Sequence, residues 1–105
     1  MPQGQSNLSP SLFGVLLEQI ADGNLRPASL INQVQNDMPI SYDNMAARFT
    51  KERPGVFNIS FYKDGNEVGT ETASSPVEAK LIVLDYAVQA VRKARQAQKG
   101  NNNTQ

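Results

Sequence analysis

Between Phe57 and Phe61 apolar and polar residues alternate strictly, with Phe57, Ile59 and Phe61 on one face and Asn58 and Ser60 on the other. A period of two marks a half-buried strand. Lys63-Asp64-Gly65-Asn66 follows, and its Asp-Gly pair tolerates the positive φ angles that a two-residue hairpin turn demands. Folding back about that pair sets Phe61 opposite Val68, Ile59 opposite Thr70 and Phe57 opposite Thr72, so one face stays apolar or β-branched. The period then changes. Ser75 suits a helix cap, Pro76 the first helical position, and Glu78 completes a capping box. Val77, Leu81, Leu84, Val88 and Val91 recur at helical spacing, and Gly100 is the expected stop.

Upstream, Leu12, Phe13, Leu16, Leu17 and Ile20 form a helical stripe that begins after Ser9-Pro10 and ends at Gly23. A second short helix is expected from Pro27 or Ala28 to about Asn36, with Leu30, Ile31 and Val34 inward. Ser41 to Lys51 fits two templates. As a strand it aligns Met45, Ala47 and Phe49; as a helix it aligns Tyr42, Met45 and Phe49. The strand is the expectation, with chain order giving a three-stranded antiparallel sheet. Arg53-Pro54-Gly55 reads as a turn, 1–8 as a disordered leader, 9–24 as an additional helix, 25–99 as the main domain and 100–105 as a disordered tail.

Composition narrows the chemistry. The 105 residues contain no cysteine and no histidine, which removes disulfides, thiol nucleophiles, imidazole bases and zinc or haem ligation by those residues. Glu67 and Glu71 share an expected strand face, but without a histidine or a glycine-rich phosphate loop they read as surface charge. No enzyme activity and no cofactor is expected. Ten basic and ten acidic residues cancel, so any affinity for nucleic acid must come from local clusters. No apolar run is long enough to cross a bilayer; a cytoplasmic chain with no membrane partner is expected.

From Arg26 to about Val91 the order helix, a segment that fits strand or helix, hairpin, helix resembles a double-stranded RNA-binding domain, and so do the residues. Pro27-Ala28-Ser29-Leu30-Ile31-Asn32 is similar to that family's opening helix, and Pro39 with Tyr42 to the start of its first strand. Phe57-Asn58-Ile59-Ser60-Phe61 resembles strand two, Asp64-Gly65 the hairpin, and Ser75 through Lys80 the serine and lysine-rich start of its last helix. The resemblance implies an α+β fold, α-β-β-β-α, with a three-stranded antiparallel sheet, both helices on one face and, here, an extra N-terminal helix. It also implies RNA contacts at Asn32, Gln33 and Asn36, at the Arg53, Pro54 and Gly55 loop, and at Lys80. Pro76 and Val77 replace two of the family's lysines, and the loop lacks its histidine. The implied binding of duplex or structured RNA is therefore weak and led by shape.

Two alternatives stand beside that expectation. The run Leu81-Ile82-Val83-Leu84 is apolar all round, so the surface at Leu81, Ile82 and Leu84 is expected to be covered, either by the additional N-terminal helix or by a homodimer or a protein partner bound through the N-terminal or C-terminal helix. A helical Ser41 to Lys51 would instead give a winged helix-turn-helix with Arg48 and Lys51 on a DNA-reading helix. Two basic clusters, Arg48, Lys51 and Arg53 and then Arg92, Lys93, Arg95 and Lys99, are candidate phosphate patches or plain solvated surface.

Overall fold

The computed structural model describes the backbone of residues 10–103 and the side chains of 12–98. Helix α1, Pro10–Ala21, is followed by a 3-10 segment, Pro27–Gln33, then by strands β1, Ile40–Tyr42, β2, Met45–Arg53, β3, Val56–Lys63, and β4, Asn66–Ala73. Helix α2, Pro76–Asn103, ends the described chain. The fold is α+β, with an antiparallel sheet in the order β1-β2-β3-β4. That is four strands where three were expected.

The extra strand comes from a turn inside the segment expected to be continuous. Tyr42 pairs with Met45 across Asp43-Asn44, and Asp43 takes φ 57°, a left-handed conformation that aspartate tolerates because its short side chain bonds locally. The turn is then tied to its neighbour. Asn44 donates to the Asp64 carboxylate at 2.9 Å, and the Asp64 N–H donates to the Asn44 carbonyl at 2.8 Å. Strands occupy most of 41–51, which removes the helix that a winged helix-turn-helix requires.

In β2, Met45, Ala47 and Phe49 are buried while Ala46, Arg48 and Thr50 are half-buried on the other face. β3 alternates the same way, with Phe57 and Ile59 in the core. The Asp64-Gly65 turn forms with φ 55° and 83°, as a type I′ hairpin requires. Beyond it the register departs from expectation. Tyr62 pairs with Glu67, but Phe61 pairs with Gly69, Ile59 with Glu71 and Phe57 with Ala73. A bulge at Val68 has shifted β4 by one residue, next to a glycine of the kind that marks such irregularities. Its consequence is twofold: Val68 is left 58% exposed, and Glu67 and Glu71 now lie on opposite faces, so they are not a carboxylate pair.

α2 packs across the apolar face of all four strands and against α1 and the 3-10 segment. Leu17, Val34, Ile59, Val83, Leu84 and Val91 are the largest fully buried side chains of the one shared core. The Ser75 hydroxyl caps α2 by accepting from the Glu78 N–H at 3.1 Å, while the Glu78 carboxylate reaches back to the Ser74 N–H at 3.3 Å. At its other end α2 does not stop at Gly100 but runs on to Asn103; an interior glycine costs a helix about 1 kcal/mol and does not by itself end it. Residues 1–9, which include the expected leader and the Ser9 cap, and 104–105 lie outside the described residues.

Gly23 does terminate α1, at φ 83°, with the Gly23 and Asn24 N–H groups donating to the Ile20 and Gln19 carbonyls. The helix is held sideways by the Tyr42 hydroxyl, which donates to Glu18 at 2.6 Å, and by an Arg95–Asp22 ion pair at 2.6 Å. The Tyr42 phenol titrates above its ordinary value, first because the Glu18 carboxylate holds its proton, then because it is partly buried and faces that negative charge. A raised folded-state pKa gives stability that is complete below the unfolded value of about 10 and lost as pH rises through the folded one. Tyr42→Phe is expected to lower stability at neutral pH by about 0.5–1.5 kcal/mol and to flatten the alkaline limb of a stability-against-pH curve.

Candidate nucleic-acid interface

The register fixes which of the expected RNA-facing residues can meet. Arg53 pairs with Val56 and Phe57 with Ala73, so the Pro54-Gly55 turn and the start of α2 lie at the same end of the sheet. Gly55 takes φ 79°, which a proline-glycine turn accommodates without strain. The Asn36 carboxamide oxygen accepts from the Lys51 N–H at 2.9 Å, which brings the chain after the 3-10 segment to that end as well. Three stretches far apart in sequence, around residues 32–36, 51–55 and 76–80, thus lie toward the same end of the sheet, spread across its width from β2 to β4.

Within this arrangement the residues differ in what they can do. Asn32 and Gln33 are exposed on the 3-10 segment, behind buried Leu30 and Val34. Arg53, Pro54 and Gly55 are exposed, as is Lys51, while Lys80 is half-buried on α2 beside the fully buried Ala79. Asn36 is not on a helix, contrary to expectation. The 3-10 segment ends at Gln33, and Val34 is already extended with φ −94° and ψ 119°. Short 3-10 runs are seldom extended further because their hydrogen bonds are poorly aligned. Asn36 instead holds the β2 backbone, and the neighbouring Asp37 N–H donates to the Phe49 carbonyl at 2.8 Å with φ 64°. It is part of the scaffold.

The basic clusters separate. Arg48 lies on the open face of the sheet, paired with Asp37 at 2.8 Å and 5.8 Å from the Tyr62 ring centroid, so its charge is already engaged. Along α2, Lys93 sits beside Asp43, Asn44 and Lys63 at the opposite end of the sheet, about 25 Å from Pro76 at the rise of an α-helix. Arg95 is committed to Asp22. Glu52 and Glu78 are exposed near Lys51, Arg53 and Lys80, which keeps the local potential modest.

Of the expected partner surface, Leu84 is fully buried and unable to meet a partner, Ile82 is half-buried and Leu81 is 36% exposed. Leu81 and Ile82 line a cleft between α2 and β4 that the sequence did not reveal. Among the described residues no group of His, Cys, Asp or Glu is placed to hold a metal ion, and no helix is long and apolar enough to cross a membrane. Compared with known proteins, the chain matches no family model, no curated protein and no solved structure.

Proposed function

We propose that this chain is a non-enzymatic module that binds duplex or structured RNA, weakly and by shape, through the end of the sheet where the 3-10 segment, the Arg53 to Gly55 turn and the start of α2 meet. One observation supports the reading: three stretches that each resemble an RNA-binding element in sequence, and lie far apart along the chain, are found toward the same end of the sheet. Asn32 and Gln33 offer amides to ribose hydroxyls in a shallow minor groove. Lys51, Arg53 and Lys80 neutralise the few phosphates within reach, and Asn36 supports them from the scaffold.

Lys51→Ala with Arg53→Ala is expected to weaken binding to a blunt RNA duplex and to reduce the salt slope by about 0.7–0.9 for each phosphate no longer neutralised, taking values known from DNA. Arg92→Ala with Lys93→Ala, further along α2 where Lys93 sits at the opposite end of the sheet, should leave binding unchanged. Pro76→Lys with Val77→Lys should strengthen binding and steepen the slope. The opposite pattern, sensitivity at Arg92 and Lys93 only, would move the interface elsewhere.

A second reading, protein association on the same domain, is favoured by Val77 at 51% and Leu81 at 36% exposure on one side of α2. These apolar side chains stand where duplex RNA offers nothing apolar to cover them.

A further inference from the structure

We infer that the cleft between β4 and the first three turns of α2 is a docking site for an extended protein segment whose apolar residues are flanked by lysine or arginine. The cleft measures about 500 Å³, with Val77, Leu81 and Ile82 as its apolar wall. Every charged side chain that lines it is acidic: Glu71, Glu78 and Asp85. In a chain whose charges cancel overall, this one-sided rim is a local property, and it specifies the sign of what binds.

The geometry also specifies the form of the segment. β4 is the last strand of the sheet, and its outer edge has no strand partner among the described residues, so its backbone can accept an added strand. Glu71 pairs with Ile59, whose side chain is fully buried under α2; its carboxylate therefore lies on the helix side of the sheet, beside the cleft. Side chains on one face of an added strand repeat about every 6.7 Å. Along α2, Val77, Leu81 and Asp85 are four residues apart and so repeat about every 6 Å. Two successive inward apolar residues would meet Val77 and Leu81, and inward basic residues on either side would meet the carboxylates.

A second copy of this chain is a poor occupant. Two-fold pairing of β4 with itself sets the carboxylates of one copy against those of the other, and an inward-pointing charge on an edge strand is a known guard against such pairing. Glu71 has no side-chain partner among the described residues. Glu78 is engaged by Ser74 and Asp85 by Gln89, at 3.3 Å and 2.7 Å, and each keeps free acceptor positions, since an ionised carboxylate can accept about four hydrogen bonds.

The test uses the full chain and two fluorescent peptides, Lys-Thr-Val-Thr-Val-Thr-Lys and the same sequence with glutamate for lysine. The lysine peptide should bind at least about tenfold more tightly than the glutamate peptide, a difference of about 1.4 kcal/mol. Glu71→Lys with Asp85→Lys should reverse that preference, and Leu81→Ser should weaken both peptides; circular dichroism confirms that these exposed sites leave the fold intact. The wild-type chain alone should sediment as a monomer. The inference is overturned if the lysine peptide does not bind at about 1 mM, if charge reversal leaves its affinity unchanged, or if the chain self-associates in a way that Leu81→Ser abolishes.

Discussion

Leu17→Ala is expected to lower the free energy of unfolding by about 2–5 kcal/mol, the range for truncating a leucine in a core that relaxes only partly. Leu17 is fully buried and belongs to the same apolar cluster as Leu84, Val88 and Val91 of α2. The polar fastenings of α1 are much weaker. Asp22 and Arg95 are each about two-fifths exposed, and an exposed ion pair contributes about 0–1 kcal/mol. Asp22→Ala should therefore be nearly silent. In urea, Leu17→Ala should shift the midpoint with the slope preserved, because α1 unfolds together with the sheet. A smaller slope, with most of the stability retained, would show that α1 is an appendage.

Leu84→Ala should cost a similar 2–5 kcal/mol, whereas Leu81→Ala, three residues earlier, should cost less than about 1 kcal/mol. Their sequence context is nearly the same, but Leu84 has no exposed surface and Leu81 keeps 36% of its own. Chemical denaturation of both variants decides whether α2 has one buried face or is covered all round. Equal, large losses would mean that something hides Leu81 in solution, and would point to an oligomer.

This pair also shows what the sequence could and could not convey. Leu81-Ile82-Val83-Leu84 reads as apolar on every side, and nothing in the letters says which side the sheet takes. Elements with strong local signals were legible: the Phe57 to Phe61 alternation, the Asp64-Gly65 turn, the Ser75 cap and the Gly23 stop all formed as expected. Features decided by tertiary pairing were not. Val68 would have packed opposite Phe61 in an unbulged hairpin, yet the bulge pairs Phe61 with Gly69 and leaves Val68 exposed. Asp43-Asn44 carried a turn signal that the strong alternation of Met45, Ala47 and Phe49 outweighed.

For the candidate interface, the sequence conveys residue types and their order, while position and bonding come from the fold. Arg53, Pro54, Gly55 and Lys80 lie toward one end of the sheet, because antiparallel strands joined by short turns leave their ends little freedom. Asn36 is bonded to the β2 backbone, since a polar side chain after a short helix can bond a neighbouring backbone as readily as a ligand. The cleft beside β4 depends on Glu71 facing α2, which follows from the one-residue shift at Val68 and has no signature of its own apart from Gly69.

The most direct test of the proposed function is titration of the full chain against duplex RNA, single-stranded RNA and duplex DNA of matched length at two salt concentrations. Duplex RNA should bind best, weakly and without sequence preference, with a shallow salt dependence that reflects how few phosphates are neutralised. Lys80→Ala and Gln33→Ala should each weaken it. No detectable binding to duplex RNA even at low salt, or a preference for duplex DNA, would contradict the proposal.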